Sequence, residues 1–352
     1  MKHNRIAARC LAGFISAATV LGILTGCNSG FPNSSVTEEP SSVSAISSGV
    51  EQEEGKVVLS YPDYMQELGC EDPVVLDSEP KRVVSLTRGP VLALYELGVP
   101  LIAIPSTNGD VWPEGLISQA EQLGVRGDNF NIETVIAMEP DLVILGISAN
   151  RDQREQFGPA LEAAGIPVYY VNAGSEMTYD DMKAEAETII ENFGNGSETG
   201  QEIMDSFAAL EERLADAQER YAGKTVMVMR ATPPTHDIQS ENGTLGSLAA
   251  MLGFTNVFES DLAQVTLDFE EALSYNPDLI LSCGRSDDPA EHEQIMKEGF
   301  AENPEFWNSI PGIQNGDIIY LSSKYITNHG IIIVDYMNEL LDIIDAHYAE
   351  KE

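Results

Sequence analysis

Two stretches of this chain, 137 residues apart, repeat one plan. Residues 132–144 read IETVIAMEPDLVI and residues 269–281 read FEEALSYNPDLIL. In each, apolar positions recur at helical spacing, a proline breaks the helix, and an unbroken apolar run follows that suits a parallel strand buried on both faces. Glu133 aligns with Glu270, Pro140 with Pro277 and Asp141 with Asp278. A chain that builds a helix, a turn and a buried strand twice is constrained towards two α/β lobes of one design.

The rest of the pattern fits that constraint. Candidate strands fall at 82–86, 101–105, 141–145 and 168–172, and a second set at 225–229, 278–282 and 317–321. Helical stretches lie between them, at 90–97, 131–138 and 152–164, then at 246–252, 268–274 and 329–348. Between the sets, Ile203, Phe207, Leu210, Leu214, Ala217 and Tyr221 share one face of a helix over about 197–222. At 1.5 Å per residue that is a rod of roughly 38 Å, long enough to join two lobes as a single spar. The expected fold class is therefore α/β, with two lobes of mostly parallel sheet joined by one long backbone helix. The lobes are expected at 56–195 and 223–352, with the linking helix at 196–222.

Residues 1–26 read as a signal peptide. Lys2, Arg5 and Arg9 precede an apolar run from Cys10 to Leu24 that is short for a membrane span. Leu24, Thr25, Gly26 and Cys27 resemble a bacterial lipobox, so Cys27 is the expected lipidation site, anchoring the protein to the outer face of the cell membrane. Residues 27–55 are rich in Ser, Glu, Pro and Gly and predict a flexible tether. With 57 acidic against 19 basic side chains and a net charge of −38, the chain is a poor match for nucleic acid. Cys70 and Cys283 are the only cysteines beyond Cys27, which excludes a disulfide framework and any CxxC metal site.

Further motifs carry a family resemblance. They are Pro80 to Leu86, Tyr95 to Val99, Asn131 to Ile144, Ala164 to Val168, Trp307 to Pro311 and Asn315 to Leu321. In this order behind a lipobox, over about residues 75–348, they resemble the class III substrate-binding lipoproteins of ABC importers for ferric siderophores, haem and cobalamin. The resemblance implies ligand capture in a cleft with little hinge closure and no resident cofactor. It also implies a monomer that docks on an ABC permease and ATPase complex through one glutamate per lobe. Those glutamates map onto Glu133 and Glu270, the pair already marked by the internal repeat. Where related chains often carry Gly-Pro-Arg before the last helix, this one has Asn328, His329 and Gly330.

In α/β lobes ligands sit beyond the carboxyl ends of the strands. Arg88, Arg230 and Arg285 each follow a candidate strand. Converging guanidinium groups in so acidic a chain make a positive well for carboxylate or catecholate oxygens. The competing expectation is that each pairs with a neighbouring carboxylate such as Asp237 or Asp287. Thr87, Ser106, Asn108, Asn150, Asn172 and His236 are further candidate contacts. Tyr325 and His329 are candidates to stack on a ligand or ligate iron, although a helix-start or surface role is the leading expectation for His329. Trp112 is either a cleft aromatic or packing. The expected cargo is an anionic ferric siderophore, with haem or a corrinoid as alternatives. Free zinc or manganese is disfavoured because His236, His292, His329 and His347 are scattered. A hydrolase is the competing class, but GxSxG and HExxH are absent and Gly243 to Ser247 has the wrong order. The chain is not expected to be an enzyme.

Overall fold

In the computed structural model the described residues are 55–106, 112–124, 130–148, 151–174, 177–232, 235–327 and 330–351. The signal segment and Cys27 lie outside them, as do Asn108, Asn150 and His329.

The chain enters through β1 (Val57–Leu59), which pairs antiparallel with β2 (Val74–Leu76). The N-terminal sheet is built from β3 (Val83–Ser85), β4 (Leu101–Pro105), β5 (Glu121–Leu123), β6 (Leu142–Ser148), β7 (Arg151–Asp152) and β8 (Val168–Asn172). Its order is β5-β4-β3-β6-β7, with β8 also on β6, and every pairing but β6–β7 is parallel. Helices α1 (Val91–Glu96), α2 (Glu114–Gln119), α3 (Ile132–Ala137) and α4 (Gln153–Ala163) connect the strands.

Both faces of this sheet are buried, as unbroken apolar strands require. Val83, Leu142 and Ile144 pack with α1 and α2 on one side, and Val84, Val143 and Leu145 pack with Val135, Phe157 and Leu161 on the other. Two helices follow, α5 (Tyr179–Phe193) and α6 (Glu198–Tyr221), joined by a short turn. The 24 residues of α6 span about 36 Å.

The C-terminal sheet comprises β9 (Thr225–Thr232), β10 (Thr235–Gln239), β11 (Thr255–Asn256), β12 (Gln264–Thr266), β13 (Leu279–Cys283) and β14 (Ile318–Leu321). Strand β9 runs parallel to β11 and β13, and β13 parallel to β14, while β10 and β12 form an antiparallel wing. Its helices are α7 (Thr244–Met251), α8 (Phe269–Ala272), α9 (Pro289–Glu302), α10 (Pro304–Trp307), α11 (Pro311–Gln314), α12 (Lys324–Thr327) and α13 (Ile333–Ala349). Val226, Val228, Leu279 and Leu281 pack under α6, α7 and α13, and Met227, Met229 and Ile280 pack on the opposite face with Trp307. The antiparallel wing is absent from the sequence reading, and so is α5.

The long helix carries the apolar face expected of it, from Ile203 to Tyr221, all buried. It lies along α13, where Arg213 meets Asn338 at 2.7 Å and pairs with Asp342, and Arg220 pairs with Asp345 at 3.0 Å. The spar is one half of a pair: Met182 and Ala186 of α5 share its core cluster, while Ile189 of α5 belongs to the N-terminal one. Helix α5 therefore staples one lobe to the other.

The repeated aspartates do the same work twice. Asp141 accepts the backbone N–H groups of Lys81 (2.7 Å) and Arg82 (2.8 Å), fixing the approach to β3. Asp278 accepts the N–H (2.7 Å) and hydroxyl (2.9 Å) of Thr225, fixing the start of β9. Each carboxylate satisfies donors at the entry to its lobe's central strand. Asp141→Ala and Asp278→Ala are each expected to cost about 1–2 kcal/mol in urea unfolding, allowing for their exposure, and to add in the double variant. Losses below 0.5 kcal/mol would mean the clamps do not hold the strands.

Candidate ligand-binding cleft

Parallel strands bring their loops to one edge, where open α/β sheets hold ligands. In the N-terminal lobe, β3 leads to Thr87 and Arg88, β4 to Ser106, and β8 ends on Asn172. In the C-terminal lobe, β9 carries Arg230, β13 leads to Arg285, and β14 to Ser322 and Ser323.

The two edges touch through backbone. Gly330 has a φ of +87°, and a Cβ there would stand 2.0 Å from the carbonyl oxygen of Gly89. Only glycine satisfies both the left-handed conformation and the approach. Gly89 follows Arg88 directly, so the loop that presents Arg88 abuts the C-terminal lobe. Ile331 packs beside it against the core clusters of both lobes.

The N-terminal edge is stiffly held. Ser85 donates its hydroxyl to the carbonyl of Thr87 (2.7 Å), and Arg88 donates to the carbonyl of Ser106 (3.2 Å), linking two strand ends. Buried Gln153 accepts from Gly146 N–H (2.7 Å) and donates to the Leu86 carbonyl (3.2 Å). Thr87 stands so close to Gly146 that a Cβ at Gly146 would lie 3.1 Å from its hydroxyl oxygen. Asn172 spends its side-chain oxygen on Gly174 N–H (2.9 Å).

At the C-terminal edge, Arg230 sits beside Cys283 in the β9–β13 register. Burial pushes the Cys283 thiol up to about 12, and the Arg230 guanidinium pulls the other way. Arg230 itself reaches Gln264 at 3.4 Å, a long and weak bond. The carboxylates that compete for these arginines are otherwise engaged: Asp237 accepts the Thr266 hydroxyl (3.2 Å), and Asp287 accepts the Ser323 hydroxyl. Among the described residues neither Arg230 nor Arg285 forms an ion pair. In a chain of net charge −38, Arg230 near the end of β9 and exposed Arg285 just beyond β13 are two cationic side chains without an ion-paired carboxylate among the described residues.

Other expected site residues point elsewhere. Tyr325 is 1% exposed, its ring packed 5.8 Å from that of Tyr336 within the α6–α13 core. The turn of α12 directs it into the core rather than onto an exposed surface. His236 is buried against Trp307, ring centroids 4.9 Å apart, and burial pulls its imidazole below its usual range. It shares the inner face of β10 with Ile238, as strand alternation dictates. Trp112 packs in the core with its indole N–H on the Pro105 carbonyl (2.8 Å). Among the described residues no three His, Cys, Asp or Glu side chains gather to hold a metal ion, and no helix is long and apolar enough to cross a membrane.

Residues 83–325 match the model of a family described as periplasmic binding protein. The chain belongs to that family. A curated relative of this periplasmic binding protein is the ABC transporter substrate-binding lipoprotein YvrC of Bacillus subtilis (strain 168), 22% identical over 280 residues, covering 77% of this chain and 82% of the relative. Among solved structures, an ABC transporter substrate-binding protein from Listeria monocytogenes EGD-e superposes with a TM-score of 0.63 at 18% identity, covering 76% of this chain and 98% of its own. S. aureus IsdE complexed with heme gives 0.62 at 18% identity, covering 74% and 98%. The shared fold is the class III one, and the family is one of binding proteins rather than enzymes.

The sequence reading missed one buried carboxylate of this binding protein, beside the Gly89 loop. Glu185 of α5 is 3% exposed, and its Oε1 would lie 3.3 Å from a Cβ at Gly89. Its other oxygen accepts the Tyr64 hydroxyl (3.2 Å). Burial drives its carboxyl up to about 8, a rise the Tyr64 bond only partly offsets. The folded chain thus keeps a proton that the unfolded chain sheds near pH 4.5, so stability is complete below that range and drains away as pH climbs to about 8. Glu185→Gln is expected to cancel this loss, gaining on the order of 3 kcal/mol over wild type at pH 8.5 and little at pH 4.5, read from urea midpoints. Parallel pH profiles would show that Glu185 is ionised in the fold.

Proposed function

We propose that this periplasmic binding protein is the capture subunit of an ABC importer for iron complexes, its cargo an anionic ferric siderophore. The reading rests on Arg230 and Arg285, which lack carboxylate partners among the described residues at adjacent strand ends. Arg88 stands on the N-terminal strand edge, in the loop that meets the other lobe. Guanidinium groups present planar, multiple donors to catecholate or carboxylate oxygens. Thr87 and Asn172 add polar groups on the same edge. The acidic exterior then excludes anions everywhere but the mouth, which focuses an anionic ligand on it.

In this account Cys27 carries the lipid anchor, residues 27–55 form the tether, and the lobes bounded at 56–195 and 223–352 hold the ligand between them with little hinge closure, as a monomer. The anchor keeps the protein at the outer face of the cell membrane. Glu133 and Glu270 meet the permease, which works with its ATPase. Both are exposed at the second position of short helices capped by Asn131 and Asp268, so one motif offers one carboxylate per lobe. Capture is reversible binding with no bond made or broken, and its specificity comes from charge and shape.

Calorimetric titration with a ferric tris-catecholate, a neutral ferric hydroxamate, haemin and cyanocobalamin tests the cargo. The tris-catecholate is expected to bind tightest, and Arg88→Ala and Arg230→Ala are each expected to weaken it by about 1.5–3 kcal/mol. Tight cyanocobalamin binding indifferent to both substitutions would overturn the proposal.

A further inference from the structure

The internal repeat extends to two positions that flank the glutamates. At the offset that pairs Glu133 with Glu270, Ile132 corresponds to Phe269 and Ile136 to Leu273. In each lobe these residues stand four apart on one helical face, straddling the glutamate. Their fates differ. Ile132 and Ile136 are half-buried against the N-terminal core. Phe269 is 42% exposed and Leu273 56% exposed, two of the large apolar side chains that the described surface leaves uncovered. Phe269 is also braced, its ring 4.5 Å from Phe306 and 5.7 Å from Trp307, so it stands as a fixed aromatic rather than a mobile one.

Acidic groups surround the pair. Asp268 caps the helix, accepting the Glu270 N–H, and Tyr275 donates its hydroxyl to Glu271 (2.8 Å), while the Glu270 carboxylate is exposed with no partner among the described residues. An apolar patch ringed by carboxylates fits a partner that offers an apolar recess beside a basic group. A second copy of this chain is a poor occupant, since two such patches bring like charges face to face.

We propose that the two lobes dock unequally on the importer's permease, which rests on the reading of Glu133 and Glu270 as docking residues. The C-terminal lobe anchors through Phe269 and Leu273 around Glu270, and the N-terminal lobe contributes Glu133 by charge alone. A pseudo-symmetric protein thereby acquires one preferred seating, with charge governing arrival and the apolar anchor governing residence.

The test uses the acylated full-length chain and its cognate permease–ATPase complex in nanodiscs, with binding followed by interferometry at low and high salt. Leu273→Ser is expected to speed dissociation on the order of tenfold at both salt concentrations, with ligand affinity and melting temperature unchanged. Leu273→Asp should do the same or more, and Ile117→Ser, at an exposed apolar site on the other lobe, should change nothing. Glu133→Gln is expected to slow association only at low salt. Wild-type binding by both Leu273 variants, with binding lost in Glu133→Gln/Glu270→Gln, would overturn the anchor and leave the glutamates in place. Wild-type binding by that double variant would overturn the docking reading itself. A shift from dimer to monomer in native mass spectrometry on Leu273→Ser, without altered permease binding, would show that the patch pairs copies and would also overturn the anchor.

Discussion

Each lobe hangs on one carboxylate that grips the chain just as it enters the central strand. Asp141 closes on the amides before β3, and Asp278 on Thr225 at the head of β9. Each sits at the start of the neighbouring strand, β6 or β13, so the grip sets the parallel register of the two strands against each other. Register decides what emerges at the far end. With β9 and β13 aligned as they are, Arg230 lies opposite Cys283, the last residue of β13, and Arg285 follows two residues later in the loop beyond that strand. Where Arg230 and Arg285 emerge is thus a downstream consequence of an interaction at the opposite end of the sheet.

Between the lobes, packing favours stiffness. The α6 rod is embedded in the C-terminal core, α5 ties into both cores, and Gly330 meets Gly89 backbone to backbone. A hinge needs a few residues free to absorb a rotation, and this junction instead presses buried side chains from both sides. Capture in such a frame relies on a preformed surface, and recognition falls to what the strand ends already present.

The architecture was readable because buried parallel strands leave unmistakable apolar runs and because the Pro-Asp signature recurs. Helix α5 escaped because Asp180, Asp181, Glu185, Glu187 and Glu191 obscure its apolar stripe of Met182, Ala186, Ile189, Ile190 and Phe193. Its start was nonetheless signalled by the reciprocal cap of Thr178 and Asp181. The burial of His236 and Tyr325 does not follow from residue type, but alternation with Ile238 turns His236 inward. Composition alone could not tell that Asp237 and Asp287 take hydroxyl donors instead of arginines, since those bonds come from tertiary placement.

The charge account is tested most directly by the salt dependence of ligand affinity in the intact protein. Equilibrium binding of a trianionic ferric chelate and of a neutral one of similar size is measured from 20 mM to 500 mM salt. An arginine-lined mouth predicts that the anionic complex binds more tightly and loses affinity steeply as salt rises, while the neutral one stays flat. Equal affinities with equal, flat salt responses would contradict a cleft that selects by charge.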